Sequence, residues 1–171
     1  RSLAVAPQLD AVFVGSRRGD SVAVALDADR DGIAEDVRTV IGGLKSPNGI
    51  AWKDGYLYIG EKHRVIRLPV PNLAALSNAK PELVLAGLPD KSHHGWRYIG
   101  FDPNGRLHVS VGSPCNICRP AGIEGTIVRI DNGKPIVVAR GLRNSVGMDW
   151  HPRSGRMYFT DNGADGMGDD S

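Results

Sequence analysis

The sequence predicts an all-β fold assembled from repeated four-stranded units, and three observations carry this prediction. Short segments rich in valine and isoleucine recur along the 171 residues, bounded by Gly, Pro, Asp and Asn, which is typical of strands joined by turns. Helical periodicity is almost absent, and only NLAALSNA (72–79) has the composition of a short helical connector. Similar strands also recur at intervals of 45, 50 and 50 residues.

The repeat is clearest in one strand of each unit. The aligned segments are AVFVG (11–15), YLYIG (56–60), RLHVS (106–110) and RMYFT (156–160). The equivalent positions that define the intervals are Val14, Ile59, Val109 and Phe159. A shorter strand precedes each segment, and a turn such as KDG, DPNG or HPRSG separates the two.

Two further strands complete each of the first three units. The third strands are SVAVAL, RVIRL and GTIVRI, and the fourth strands are VRTVI, PELVLAGL and PIVVARGL. Four strands in a period of about 40 to 50 residues are typical of one blade of a β-propeller. The blades are predicted at 1–44, 45–90, 91–142 and 143–171, the last incomplete. We therefore expect about three and a half blades of a larger ring.

Composition and charge exclude several classes of partner. The chain has 21 basic and 19 acidic residues, and the basic ones are scattered, which argues against a nucleic-acid partner. No apolar stretch approaches the roughly 18 residues needed to cross a membrane. We therefore predict neither a nucleic-acid partner nor a membrane span.

Blade geometry predicts which loops share a face. In an antiparallel blade, the segment leading into the first strand and the loop after the second strand open on the same side. The first strand is expected to be buried and to line the central channel, with the fourth strand outermost. The residues that would gather at the channel mouth are Asn48, His93, His94, Arg143 and Asn144. A concave mouth with convergent polar groups is the default candidate site, although a histidine before a strand is more often a capping or surface residue.

Four segments, taken together, resemble the sorbosone and soluble glucose dehydrogenase family. They are SPNGIAW, LPDKSHHGWRYIGFDPNGRLHVSVGSPCNIC, VVARGLRNSVGMDWHP and FTDNGADGMGDD, and they cover nearly the whole chain in blade order. The resemblance implies a six-bladed propeller that holds pyrroloquinoline quinone (PQQ) and Ca²⁺ on one face. It also implies oxidation of an aldose or related sugar, an external electron acceptor, and a periplasmic or secreted location.

The resemblance assigns the general base to one of two histidines. In the family, a histidine leading into the first strand of a blade takes the proton from the sugar hydroxyl while hydride passes to the quinone. His93 matches this residue best and His94 is the rival. The carboxylate that orients the base in glucose dehydrogenases is replaced here by the segment Gly112-Ser113-Pro114. The orienting group is therefore unassigned by the sequence.

The resemblance also assigns cofactor and metal contacts. The Arg-Asn pair that holds the quinone matches Arg143 and Asn144, and Asn48 occupies the equivalent position two blades earlier. Two backbone carbonyls that hold Ca²⁺ match Gly163 and Ala164. The family motif NGRDW reads NGADG here, so two larger side chains near the metal loop are replaced.

A second calcium site is a candidate at DADRDGIAED (27–36). The segment begins with the Asp-x-Asp-x-Asp-Gly pattern of a calcium loop, with Asp27, Asp29 and Asp31 as ligands. Its twelfth position, where a bidentate glutamate is expected, is Arg38. A plain Asp/Gly hairpin turn is the alternative.

The two cysteines and the three tryptophans have structural interpretations. Arg119 follows Cys118, which excludes a c-type haem motif, and no second Cys pair exists for a zinc ribbon. A Cys115–Cys118 disulfide in an oxidising compartment is the most economical account. The tryptophans at 52, 96 and 150 fall on or beside first strands, so we expect them to pack between blades.

Two other functions remain open at this stage. One is a calcium-dependent hydrolase of the lactonase type, which would use Asn48, Asn144 and a carboxylate without any quinone. The other is a non-catalytic propeller that binds a partner.

Overall fold

Fourteen strands form the sheets of the structure, a computed structural model that describes residues 2–166. The first seven are β1 Leu3–Ala6, β2 Ala11–Val14, β3 Val22–Leu26, β4 Asp36–Ile41, β5 Gly49–Lys53, β6 Tyr56–Gly60 and β7 Val65–Pro69. The others are β8 Glu82–Leu85, β9 Ile99–Phe101, β10 Leu107–Val111, β11 Thr126–Asp131, β12 Lys134–Arg140, β13 Ser145–Trp150 and β14 Met157–Asp161. Two short 3₁₀ turns, Pro7–Leu9 and Leu73–Asn78, supply the helical residues of this part of the chain.

The strands form consecutive antiparallel sheets, which confirms the predicted all-β fold. Their orders are β1-β2-β3-β4, β5-β6-β7-β8, β12-β11-β10-β9 and β13-β14. Within residues 2–166 there are thus three complete four-stranded blades and the first two strands of a fourth. Residues 167–171 belong to the predicted fourth blade, and 167–170 also to the motif FTDNGADGMGDD, but they lie outside the described residues, as does Arg1.

Local sequence explains how the hairpins close. Lys53 pairs with Tyr56 across β5 and β6, leaving Asp54 and Gly55 as a two-residue turn. Both turn residues have positive φ, 50° and 78°. This conformation suits an Asp-Gly pair and matches the right-handed twist of the flanking strands. The same solution recurs between β11 and β12 at Asn132-Gly133.

The hydrophobic core lies between neighbouring blades. One buried cluster joins blades 1 and 2 through residues such as Phe13 and Leu57, and a second joins blades 2 and 3 through residues such as Val65 and Val109. Trp52 stacks on Phe13 with ring centroids 5.7 Å apart, which confirms its predicted packing role. Each fully buried aliphatic or aromatic side chain contributes about 1.5 to 3 kcal/mol, so face-to-face blade packing dominates stability.

The first and last sheets are less buried than expected. We predicted that the first strand of each blade is buried, but Leu3 and Val5 on β1 are 66% and 61% exposed. Tyr158 on β14 is 60% exposed. One face of β1 packs on blade 2, and no blade among residues 2–166 covers its other face. The prediction is therefore wrong for β1, because burial of a first strand needs a neighbour on both sides.

Far-UV circular dichroism is expected to show a spectrum dominated by strand. The two 3₁₀ turns contain 3 and 6 residues, so helix should stay far below the third of residues that is usual in globular proteins. A measured helix content above about a fifth would contradict the fold. Among residues 2–166, no helix is long and apolar enough to cross a membrane.

Candidate functional site

A cavity of about 260 Å³ lies where the four sheets meet around the channel. Its walls come from every blade, as the position of the first strands predicts. The lining residues are Ser2, Arg17, Asn48, Trp96, Tyr98, Asn144, Val146 and Asn162. The structure thus brings together two of the predicted cofactor contacts, Asn48 and Asn144, but the two histidines do not line this cavity.

An aromatic residue and a cation form one wall of the cavity. The guanidinium of Arg17 lies 3.4 Å from the ring centroid of Trp96, close enough for a cation–π interaction. Trp96 therefore contacts a residue of another blade, and it also lines the cavity. Trp150 does pack between blades 3 and 4, against His108 with ring centroids 5.0 Å apart.

The two asparagines differ in what their side chains do. The Asn48 side chain donates to the backbone carbonyl of Arg97 at 3.1 Å, so it already has a structural partner. Asn144 is only 6% exposed, and its backbone N–H donates to Asp161 Oδ1 at 2.8 Å. Its side-chain amide has no hydrogen bond within residues 2–166. Because its amide faces no partner in this part of the chain and Asn144 lines the cavity, Asn144 is the better ligand contact.

Arg143 is held by the loop that follows β14. Its backbone N–H donates to Asp161 Oδ2 at 2.9 Å, and its Nη2 forms an ion pair with Asp165. Nη1 approaches the carbonyl of Asn162 at 3.4 Å. Nε is buried and has no partner in the described part of the chain. The side chain predicted to hold the quinone is therefore fixed in place, with one donor still free.

His94, rather than His93, is the ordered histidine. His94 is 7% exposed and has a positive φ of 49°, whereas His93 is exposed. The centroids of the two imidazole rings are 4.0 Å apart. Nδ1 of His94 lies 2.9 Å from the backbone carbonyl of Ser113. A carbonyl only accepts, so Nδ1 carries the proton and Nε2 keeps its lone pair. Such a left-handed residue is uncommon outside glycine and often marks a functional site.

The orienting group that the sequence left unassigned is thus the carbonyl of Ser113. Every residue has a backbone carbonyl, whatever its side chain, so no sequence signal could have pointed to this one. Gly112 makes the approach possible, because a Cβ there would collide with Cβ of His94 and lie 2.6 Å from its carbonyl oxygen.

Burial lowers the pKa of His94 below its usual value, and the positive charges of His93 and Arg143 act in the same direction. The hydrogen bond to Ser113 and the Asp165 carboxylate oppose this shift. The lowered pKa keeps the imidazole neutral near pH 7, which is the state a general base needs.

Replacing Gly112 with alanine is expected to displace His94 from the Ser113 carbonyl. The ring would become more exposed, so its pKa should rise toward the usual value of about 6.5. A pH titration of the His94 ring signals by NMR measures this change. Gly42→Ala is the matched control, since a Cβ at Gly42 has no neighbour within 4 Å. An unchanged His94 titration in Gly112→Ala would contradict the close approach.

The candidate metal loop presents unused oxygen atoms. Gly163 is exposed and Ala164 half-buried, and within residues 2–166 no hydrogen bond uses either backbone carbonyl. Oxygen ligands of this kind suit Ca²⁺. The next residue, Asp165, exchanges two hydrogen bonds with Asn116, at 2.9 and 2.8 Å. The assignment of Gly163 and Ala164 as ligands stays a prediction.

The Asp27 loop also gathers carboxylates. Oxygen atoms of Asp27, Asp29, Asp31 and Glu35 lie within 4.8 Å of one another. The sequence did not point to Glu35, because it is the ninth residue of the loop and the bidentate glutamate of a calcium loop is the twelfth. Backbone amides donate to these carboxylates, for example Gly32 to Asp27 at 2.9 Å, and the same bonds stabilise a plain turn. The loop joins β3 and β4, on the face opposite the cavity, and calcium binding there stays a prediction.

The Cys115–Cys118 disulfide is present, with the two Cα atoms 6.1 Å apart, which confirms the predicted pairing. No free cysteine remains in residues 2–166. The bond closes a loop directly after β10, on the same face as His94 and Arg143.

Solved structures with a similar fold include sugar dehydrogenases. The PQQ domain of pyranose dehydrogenase from Coprinopsis cinerea superposes with a TM-score of 0.80 at 17% identity, over 96% of this chain and 44% of that one. A PQQ-bound aldose sugar dehydrogenase from Streptomyces coelicolor gives 0.68 at 19%, over 94% and 55%. The chain shares the fold of these dehydrogenase propellers. A Trichoderma reesei carbohydrate-active enzyme of family AA12 gives 0.81 at 20%, over 96% and 46%.

Sequence comparison identifies a further relative. An uncharacterised protein of Borreliella burgdorferi is 33% identical over 178 residues, which is 92% of this chain and 43% of that protein. No family model matches the chain. The chain spans about half the length of the proteins it matches.

Proposed function

We propose that this chain supplies the PQQ- and Ca²⁺-binding face of a sugar dehydrogenase, with His94 as the general base. The observation that carries the proposal is the Ser113 carbonyl, which holds Nδ1 of His94 at 2.9 Å and leaves Nε2 unprotonated. The shared fold supports it, since solved structures with this fold include the PQQ domain of a pyranose dehydrogenase and a PQQ-bound aldose sugar dehydrogenase.

The residues present fit a planar quinone that carries several carboxylates. Trp96 and the Arg17 guanidinium that lies over its ring supply an aromatic group and a cation at the cavity wall, and the amide of Asn144 lacks a partner within residues 2–166. Arg143 adds a buried Nε without a partner in the same part of the chain. Cofactor pockets usually measure about 300 to 1,000 Å³, so further blades would have to enlarge the cavity of 260 Å³.

When bound, PQQ supplies the carbonyl that accepts hydride, and Ca²⁺ supplies charge that polarises it. The chain's own residues remove the proton, orient the cofactor and hold the metal. Nε2 of His94 takes the proton of the sugar hydroxyl, and the bond to Ser113 keeps the ring from rotating. Asn144 and Arg143 orient the cofactor, and the carbonyls of Gly163 and Ala164 hold the metal.

His93 is the less suitable base, although it matched the family position better by spacing. It is exposed, and its ring makes no hydrogen bond among the described residues. A base needs a fixed orientation toward the proton it removes. We therefore assign the role to His94.

The proposal includes an aldose or related sugar as substrate, an external electron acceptor and an exported protein. The disulfide is consistent with an oxidising compartment.

Arg143→Lys is expected to weaken PQQ binding at least about tenfold. A lysine ammonium group can replace neither the planar guanidinium that pairs with Asp165 nor the unpaired Nε–H. Titration with PQQ in the presence of Ca²⁺, followed by absorbance, measures the dissociation constant. Arg140→Lys is the control, since Arg140 is exposed and, within residues 2–166, its side chain donates only to the carbonyl of Gly122, at 3.2 Å. Equal affinities of the Arg143→Lys and native proteins for PQQ would show that Arg143 has a structural role and does not bind the cofactor.

The proposal as a whole is tested by adding PQQ and Ca²⁺ and following dye reduction by aldoses. A red-shifted absorbance and sugar-dependent dye reduction are expected. Hydrolysis of a lactone with Ca²⁺ alone would instead favour the hydrolase, and binding of a protein with neither activity would favour the non-catalytic propeller.

A further inference from the structure

The loop closed by the disulfide contacts three parts of the candidate site at once. It spans residues 113–118 and follows β10 directly. Its contacts reach the segment before β9, the segment before β13 and the loop after β14. No role in the site was assigned to it by the sequence.

Ser113 makes the first two of these contacts with its backbone. Its carbonyl accepts from Nδ1 of His94 at 2.9 Å, and its N–H donates to the carbonyl of Arg143 at 2.7 Å. The residue is 4% exposed. One peptide segment therefore sets the distance between the histidine and the arginine.

The disulfide lies against the side chain of Ser113. The hydroxyl oxygen is 3.3 Å from Sγ of Cys115 and 3.6 Å from Sγ of Cys118. Both sulfur atoms thus border the residue whose carbonyl orients His94.

Asn116 makes the third contact, from inside the disulfide loop. Its side chain donates to the carbonyl of Asp165 at 2.9 Å and accepts from the N–H of Asp165 at 2.8 Å. Asp165 in turn forms the ion pair with Arg143 and follows Ala164, a candidate metal ligand. The loop therefore links the base to the cofactor and metal contacts.

We propose that the Cys115–Cys118 loop is the positioning element of this site, holding the Ser113 carbonyl on His94 and Asp165 on Arg143. The inference rests on the proposed function for its catalytic meaning, but not for its geometry. Asn116, Ile117 and Cys118 are exposed and add nothing to the core, so the covalent bond replaces the packing that would otherwise order them. Reduction of the bond should therefore loosen the site without unfolding the blades.

The tautomer of His94 is the most direct readout, and it needs no cofactor. In the native chain labelled with ¹⁵N-histidine, long-range ¹H–¹⁵N spectra should show His94 protonated at Nδ1 only. His108 is an internal control, because its Nδ1 lies 3.0 Å from the carbonyl of Arg106, away from the disulfide. In a Cys115→Ser/Cys118→Ser variant, His94 should exchange between both tautomers while His108 stays unchanged.

Two single substitutions in the same loop sharpen the test. Ile117→Ala keeps the disulfide and removes a side chain that is 68% exposed, so both histidines should be unaffected. Asn116→Ala should shift the amide signal of Asp165 and leave His94 protonated at Nδ1.

Reduction of the native chain with a phosphine covers the case in which the double variant does not fold. The proposal would be overturned by a reduced or doubly substituted chain that stays folded and keeps His94 protonated at Nδ1 only. The disulfide would then constrain its own loop and not His94. Because these readouts involve no PQQ or sugar, they stand whether or not the dehydrogenase proposal fails. If the enzyme is active, reduction should lower kcat about a hundredfold and change KM little, since misplacement by about 1 Å is that costly.

Discussion

Replacing His94 with glutamine is expected to lower kcat for sugar oxidation at least about a hundredfold, because removal of a general base typically costs 10² to 10⁴ in rate. Glutamine keeps a polar side chain of similar length but cannot take a proton. Binding of PQQ and Ca²⁺ should persist, since Arg143, Asn144 and the carbonyls of Gly163 and Ala164 are untouched. Steady-state kinetics with saturating PQQ and Ca²⁺, combined with a binding titration, separate the two effects.

His93→Gln is the matched control for this substitution. Its ring is exposed and makes no hydrogen bond within residues 2–166, so kcat should change much less. A hundredfold loss in His93→Gln with a normal His94→Gln enzyme would exchange the two roles. Near-normal kcat in both variants would contradict the mechanism altogether.

The pH dependence of kcat/KM follows from the same residue. Burial and the positive charges of His93 and Arg143 lower the pKa of His94. The neutral, active form therefore persists to lower pH than for an ordinary histidine. The acid limb of the profile should have its midpoint below about 6.5, with activity lost as the pH falls through the pKa of the folded enzyme.

Arg97→Met is expected to lower the free energy of unfolding by about 2 to 4 kcal/mol, because the carbonyls of two half-buried residues lose a charged donor. The Arg97 guanidinium donates to the carbonyl of Lys62 at 3.0 and 2.8 Å and also to that of Pro89. Burial lowers its pKa to about 10, against the opposing effect of Asp90 and Glu124, so the side chain stays charged at neutral pH. Urea unfolding followed by tryptophan fluorescence measures the loss.

Arg67→Met is the control for Arg97→Met. Arg67 forms an exposed ion pair with Glu82 at 2.8 Å and lies over the ring of Tyr56, 4.2 Å from its centroid. Exposed pairs contribute about 0 to 1 kcal/mol, so stability should change little. Similar losses in the two variants would show that the carbonyls of Lys62 and Pro89 find other partners.

The blade pattern could be predicted from the sequence because strand periodicity and turn residues are local signals. Asp54-Gly55 marks a hairpin by its own chemistry, and the intervals between Val14, Ile59 and Val109 reflect one repeated unit. The exposure of Leu3 could not be predicted in the same way. It depends on whether a further blade covers β1, and local sequence contains no information about that.

The candidate site was predictable in its location but not in its details. Topology placed Asn48, Asn144 and the histidines on one face. The orientation of His94 depends on a backbone carbonyl, and the cavity wall at Trp96 depends on Arg17 from another blade. Such contacts join residues far apart in sequence through atoms that carry no residue-specific signal.

The most direct test of the account is a crystal structure of the protein with PQQ and Ca²⁺. It should show the quinone against Trp96 within hydrogen-bond distance, about 3 Å, of the Asn144 amide. Ca²⁺ should lie on the carbonyls of Gly163 and Ala164, with Nε2 of His94 open to the substrate side. Crystals grown at saturating PQQ that show the quinone elsewhere, or Ca²⁺ only at the Asp27 loop, would contradict the proposed site.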